Sequence, residues 1–287
     1  MDRLMRIVRD KTKLRAALDA SRSAGHPIGL VATMGFLHEG HLSLLRAARS
    51  ECDVVVVSSF VNPAQFSPGE DLDRYPRDEE RDAALAEAEG ADFLYAPEAS
   101  EVYPEGFATA VTVEATLTEV LCGSAGRRGP EHFRGVTTVV AKLFNTVGPD
   151  IAYFGQKDAQ QAAVIRRMAR DLDFPVRIEV LPTVRETDGL AMSSRNAYLS
   201  EEDRGRATAL SRALRAAEEG TRAESLAAGL KAAHGELAAA GIEPEYLEAR
   251  DAEDLSETAA LNGRPVLVAV AARVGGARLI DNVLIEP

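Results

Sequence analysis

Short β-branched or apolar runs at residues 28–33, 53–60, 92–95, 150–154 and 176–181 predict strands, while 42–51, 77–89, 136–147 and 159–172 carry helical patterns. Strand and helix therefore alternate up to about residue 184. That alternation predicts a mainly parallel sheet covered by helices on both faces. The expected class is α/β, a Rossmann-like domain over residues 1–184, with ligands beyond the carboxyl ends of its strands. Past that point the pattern changes. Residues 200–219 and 222–240 become Ala-rich helical stretches, and 245–250, 266–274 and 278–285 read as strands, so 185–287 is expected to form a smaller α+β C-terminal domain. Leu210 and Leu214, one helical turn apart with Ala213 and Ala217 beside them, give the first of these helices a core side.

The most informative junction is the strand at 28–33, the turn Met34-Gly35-Phe36-Leu37-His38-Glu39-Gly40-His41, and the helix that follows. Unpaired N–H groups and the positive dipole end of a helix favour a phosphate at such a place. Gly35 and Gly40 are expected to let backbone approach the ligand, and the imidazoles of His38 and His41 can donate to phosphate oxygens or become cationic beside a triphosphate. The plainer alternatives are a capped helix with exposed histidines or a metal site. His38-Glu39-Gly40-His41 is one residue short of the zincin spacing, which disfavours zinc.

Composition narrows the setting. With 287 residues, 46% hydrophobic and 27% charged, the chain has the profile of a globular protein large enough for two modest domains. No apolar stretch approaches the ~20 residues needed to cross a bilayer. Residues 1–6 lack the apolar region of a secretory signal, so a cytoplasmic location is expected. A net charge of −12 argues against general affinity for nucleic acid, and an anionic ligand then needs its own cationic pocket. Cys52 and Cys122, too few for a disulfide framework, are expected to be inert thiols. Residues 62–77, with Pro63, Pro68, Gly69 and Pro76, read either as a cover over a ligand or as a static surface loop. Its acids Glu70, Asp71 and Asp73, with Asp78 beyond, read as a solvated charge run from which one side chain could meet magnesium.

The string from Thr33 to His41 resembles the His-x-Gly-His signature of nucleotidyltransferases in the form used by the pantothenate synthetase family, the pantoate–β-alanine ligases. Three later segments extend the resemblance: Ser59-Phe60-Val61-Asn62-Pro63-Ala64-Gln65-Phe66, Phe154-Gly155-Gln156-Lys157-Asp158-Ala159-Gln160-Gln161 and Gly189-Leu190-Ala191-Met192-Ser193-Ser194-Arg195-Asn196. His132-Phe133-Arg134-Gly135-Val136 adds a further match. Together they cover roughly residues 28–199. Three departures stand out. Ala32 occupies a usual Pro position, Ala64 a usual Thr position, and Gly129-Pro130-Glu131-His132 carries an extra residue.

The resemblance implies an ATP-dependent ligase that forms pantoyl adenylate, releases pyrophosphate, and joins the acyl group to β-alanine with loss of AMP, a step toward coenzyme A. It implies that Met34–His41 by number (34–41), Gly155, Gln156, Lys157, Asp158, the Val184 backbone, Met192, Ser193, Ser194 and Arg195 bind ATP. His41 acts as proton donor, His38 shares its charge stabilisation, and Lys157 offsets phosphate charge. Gln65 and Gln161 hold pantoate, Gln65 lies close to β-alanine, and Asn62 is a further candidate in the same loop. Mg²⁺ arrives with ATP, its protein ligands unknown, and the chain pairs as a homodimer. Two other readings stay open at this point: an adenylyltransferase acting on a phosphate-bearing acceptor, and a non-catalytic nucleotide-binding module.

Overall fold

In the computed structural model, which describes residues 4–114 and 116–287, six strands form one parallel sheet. They are β1 (Arg6–Val8), β2 (Ile28–Thr33), β3 (Val54–Ser59), β4 (Phe93–Tyr95), β5 (Ile151–Gly155) and β6 (Arg177–Leu181), in the order β1-β4-β3-β2-β5-β6. Residues 1–3 of the start considered above lie outside the described residues. The helices are α1 (Lys11–Ser23), α2 (Glu39–Glu51), α3 (Glu79–Ala88), the one-turn α4 (Ala99–Val102) and α5 (Thr116–Glu119), then α6 (Pro130–Val147) and α7 (Ala159–Asp171).

The strands alternate their side chains between two cores. Val54 and Val56 join Ile28 and Leu30 on the face covered by α1, α6 and α7, while Val55 and Val57 join Val31 on the face covered by α2. Burial on both faces explains why these strands read as unbroken apolar runs. β2 pairs with β3 on one side and β5 on the other, and the helices that follow β2 and β5 go to opposite faces. This is a topological switch point, and it leaves a crevice at the carboxyl ends of β2 and β5.

The C-terminal part contains α8 (Glu201–Ala207), α9 (Ala209–Ala223) and α10 (Leu226–Ala239), packed on the antiparallel sheet β7 (Pro244–Asp251), β8 (Val266–Val274) and β9 (Ala277–Ile285). Leu210, Ala213, Leu214 and Ala217 all enter its core. The helix expected over 200–219 is interrupted at Thr208, whose hydroxyl donates to the Gly205 carbonyl at 2.8 Å instead of leaving the backbone to run on unbroken. β1 and α1 were not foreseen. A three-residue strand offers almost no periodicity, and α1 shows only Leu14, Ala17 and Leu18 as its apolar side, capped by Asp10 accepting from Lys13 N–H at 2.8 Å. Helix α6 starts six residues earlier than its apolar pattern, because Pro130 occupies the first turn after Gly129.

Gly135, inside α6, is where that helix meets the loop after β3. A β-carbon there would fall 2.1 Å from the Ala64 carbonyl oxygen and 2.7 Å from Gln65 N. Both are backbone atoms with no rotamer to give way. Gly135→Ala is expected to cost about 1–3 kcal/mol, the range for overpacking, measured by urea denaturation. A loss within the scatter of surface substitutions, about 0.5 kcal/mol, would show that the loop does not depend on this contact.

Candidate active site

The turn after β2 is held by a buried carboxylate. Asp82, on α3, accepts from Phe36 N–H and Leu37 N–H, both at 2.6 Å. Burial raises its pKa above the ordinary carboxylate range, with the two N–H donors pulling the other way. Gly35 takes φ +81°, where a β-carbon would also meet Ser59 Oγ at 2.6 Å, and Phe36 follows at φ 50°. This fold-back delivers the chain to His38, the N-cap of α2.

The helix begins at Glu39, so the turn is shorter than the sequence suggested and Gly40 lies within the first helical turn. Gly40 has a different reason from the one expected. A β-carbon there would stand 2.9 Å from His38 Cε1, so its absence makes room for the His38 ring.

The His38 and His41 rings stack with centroids 4.0 Å apart, and His38 N–H donates to His41 Nδ1 at 3.3 Å. Nδ1 is therefore an acceptor, which puts the proton of a neutral His41 on Nε2. Burial, and next the charge of Lys157, lowers the His38 pKa to about 4. Burial, then His38 and Lys157, holds His41 well below the ordinary histidine range. Both rings are therefore neutral near pH 7.

Across the switch point, Lys157 follows β5 and lines the same cleft. Asn282, on β9, donates to the carbonyls of Gln156 and Lys157 at 2.9 Å each, and Gln156 Nε2 donates back to Asn282 Oδ1. The C-terminal sheet thus props the Lys157 turn from behind. Met192, Ser193, Ser194 and Arg195 close a third side, where Ser194 donates to the Phe36 carbonyl at 3.2 Å. Val184 lies beside them with its carbonyl engaged by Met192 N–H.

Gln65 and Gln161 line the same cleft, as do the apolar side chains of Phe60, Val139, Val140 and Leu143. Met34, Gly155 and Asp158 complete the cleft. Gly35, Phe36, Leu37, Glu39 and Gln156 do not line it. Leu37 is fully buried in the core, and Glu39 pairs with Arg46. Asn62 stands behind Gln65, donating to Gln65 Oε1 at 3.0 Å and to the Gly135 carbonyl at 3.1 Å while accepting from Tyr103. Its polar atoms are spent on holding the loop.

Two acids of the 62–77 segment leave the expected solvated run, while Asp73 stays exposed. Asp71 grips Arg195 through two hydrogen bonds of 2.9 Å, Glu70 lies 3.1 Å from Arg128 Nε, and Asp78 caps α3. Tyr198 also donates to the Arg74 carbonyl at 2.9 Å. The loop is fastened to the 193–198 segment rather than left open. For Asp71, burial works upward but the Arg195 pair outweighs it, and the pKa lies below the usual range.

Sequence reasoning gave no site role to Asp82, Tyr75, Arg128, Thr183 or His132, the last noted only within a matching segment. Tyr75, Arg128, His132 and Thr183 line the cleft. Buried side-chain atoms without a hydrogen-bond partner include His38 Nδ1, Arg128 Nε and Thr183 Oγ1, which gather around this one cleft. Orphaned buried polar atoms are expensive, and their gathering marks a place built for a polar ligand. Cys52 and Cys122 are buried, Cys52 against Tyr153 and Cys122 against Tyr246 and Arg278. Among the described residues no helix is long and apolar enough to cross a membrane, and no group of three or more His, Cys, Asp and Glu side chains is placed to hold a metal ion.

The family profile described as pantoate-beta-alanine ligase matches residues 6–284. The chain belongs to the pantoate–β-alanine ligase family. Pantothenate synthetase of Moorella thermoacetica is 53% identical over 98% of this chain and 99% of its own length, and that of Novosphingobium aromaticivorans is 52% identical over 96% of each. The crystal structure of pantothenate synthetase from Thermus thermophilus superposes with a TM-score of 0.92 at 49% identity, covering 99% of this chain and 100% of that one. The pantoate-beta-alanine ligase of Francisella tularensis, solved with β-γ ATP and β-alanine, gives a TM-score of 0.81 at 31% identity over 98% of this chain and 97% of that one.

Within this ligase fold the buried histidines make stability depend on pH. An unfolded histidine takes up its proton near pH 6.5, whereas His132, lowered by burial and then by Arg128, resists to about 3. Between those values the unfolded state binds more protons, so stability is lost as the pH falls. His132→Asn retains an N–H donor for the Gln65 carbonyl but cannot titrate. The wild type should lose about 2 kcal/mol more than this variant between about pH 7 and pH 5, read from urea melts at each pH. Equal losses would show that His132 is not held neutral by the fold.

Proposed function

We propose that this chain condenses pantoate with β-alanine in two steps within the one cleft, and that the observation carrying the reading is the convergence of His38, His41 and Lys157 at the switch point in one cleft with Gln65 and Gln161. The lining combines cationic and N–H groups that suit a triphosphate with neutral amides and apolar side chains that suit an organic acid. Pantoate is a hydroxy acid with a dimethyl-substituted carbon, and Phe60, Val139, Val140 and Leu143 suit those methyl groups. The glutamine amides hold its hydroxyl and carboxylate groups without an ion pair that would blunt the nucleophile.

In the first step a pantoate carboxylate oxygen attacks the α-phosphorus, an O–P bond forms, and pyrophosphate departs. His41 donates its Nε2 proton toward the phosphate oxygens where charge grows, and a neutral donor in a buried site is worth more than it would be in water. Lys157 offsets phosphate charge, and Arg195 adds to it from within its pair with Asp71. In the second step the β-alanine amine attacks the acyl carbon and AMP leaves. The mixed anhydride is prone to hydrolysis, and the loop fastened by Asp71–Arg195 and Tyr198–Arg74 keeps water away from it.

Magnesium fits this donor set. Asp158 is the one carboxylate among the described residues lining the cleft, and Mg²⁺ is commonly held by one or two carboxylates with substrate phosphates. When bound, it neutralises phosphate charge. Residues 1–184 hold ATP and pantoate in this reading, and 185–287 bring Met192, Ser193, Ser194 and Arg195 at their start. The resemblance further implies a homodimer working in the cytoplasm.

Incubation with ATP, pantoate and β-alanine should yield AMP, pyrophosphate and pantothenate by mass spectrometry; AMP retained on an acceptor would overturn the ligase reading. His41→Ala and Lys157→Ala should each slow pantoyl-adenylate formation by roughly two or more orders of magnitude, the scale of losing a strong electrostatic stabiliser. Near-normal single-turnover rates in both folded variants would remove these residues from the mechanism.

A further inference from the structure

The cleft described above holds one guanidinium whose work is unassigned. Arg128 sits in the loop before α6 and lines the cleft beside Gln65 and Gln161. The other cationic side chains at hand are engaged or committed. Arg195 is gripped by Asp71, Arg278 is bonded to Glu245 at 2.8 Å with its remaining nitrogens against Cys122, and Lys157 is assigned to phosphate in the proposed reading. Arg128 differs. Its Nε lies 3.1 Å from Glu70 Oε1 but is not aligned for a hydrogen bond, and the atom is buried without another partner. Burial, and then the charge of Arg195, lowers its pKa while Glu70 raises it, and a guanidinium keeps its charge in proteins, so this buried cation, shared with Glu70, gains from a ligand carboxylate.

Its orientation is tied to Gln65. His132 Nδ1 lies 2.7 Å from the Gln65 carbonyl, which can only accept, so that ring nitrogen carries the proton and Nε2 is the acceptor. Arg128 Nη1 stands 3.3 Å from that Nε2. The guanidinium is thus coupled through His132 to the residue that, in the proposed reading, lies closest to both acids.

We infer that Arg128 receives the carboxylate of β-alanine and thereby selects an amino acid, rather than a simple amine, as the acyl acceptor. This rests on the ligase reading above. β-Alanine carries its carboxylate two carbons from its amine, so a carboxylate within about 5 Å of the attacking nitrogen must find a cation beside the glutamines in the cleft. A guanidinium fork matches a carboxylate with two parallel hydrogen bonds, which fixes the direction of the amine as well as its affinity. The step itself is unchanged: a C–N bond forms, the acyl C–O bond to AMP breaks, and the nitrogen gives up its proton to solvent.

The test compares wild type, Arg128→Gln and Arg128→Lys with β-alanine and with β-alaninamide, which has the same amine and no carboxylate. Arg128→Gln should raise KM for β-alanine roughly ten- to hundredfold, the loss of a charged hydrogen-bond pair. It should also abolish the preference for β-alanine over the amide, and Arg128→Lys should recover part of both. Pyrophosphate release from ATP and pantoate, measured in a single turnover without β-alanine, is read in every variant to show a folded site. An unchanged KM for β-alanine, a retained preference over the amide, or a loss confined to pyrophosphate release would each overturn the inference. If the wild type releases no pyrophosphate with pantoate, the ligase reading fails instead, which keeps the two outcomes distinct.

Discussion

Two neighbouring parallel strands that send their chains to opposite faces leave a gap at their carboxyl ends, and every functional feature of this molecule depends on how the gap between β2 and β5 is walled. After β2, Asp82 folds the backbone back so that α2 presents its N-terminus and both histidines to the gap. After β5, Asn282 holds the carbonyls of Gln156 and Lys157 from behind. A buried carboxylate and a buried amide, neither of which lines the cleft, therefore set the positions of the groups that do.

The electrostatics follow from that enclosure. Desolvation keeps His38 and His41 neutral, so the site holds N–H donors in waiting rather than fixed charge, with Lys157 as the cation beside them. Arg195 is already paired with Asp71. Lys157, Arg128 and Arg195 nevertheless all line the one cleft, so a chain of net charge −12 keeps local positive charge where the proposed reading puts a triphosphate. The same Asp71 pair fastens the 62–77 loop to the segment that carries Arg195.

The sheet was legible because its strands are buried on both faces, as at residues 54–57, and the turn that brings His38 and His41 to the cleft was legible because two histidines and two glycines stand between strand and helix. What stayed hidden depended on contacts remote in sequence. Asp71 looks the same in a solvated run as in a buried pair until Arg195 folds onto it, and Asp82 reads as one more charge on a charged helix. Gly40 was rightly noticed for a reason that the His38 ring replaces. Asn62 was grouped with the ligand-binding amides because its loop carries Gln65, whereas its bonds to Gly135, Gln65 and Tyr103 place it behind them.

The central claim is that the pantoate carboxylate itself attacks the α-phosphorus at this cleft, which makes a prediction about one atom. With pantoate labelled by oxygen-18 in its carboxylate, the bridging oxygen of the mixed anhydride leaves with AMP when the β-alanine amine displaces it. Mass spectrometry of the products should find one labelled oxygen in AMP and one retained in the new amide. Unlabelled AMP, or label in pyrophosphate, would contradict the account.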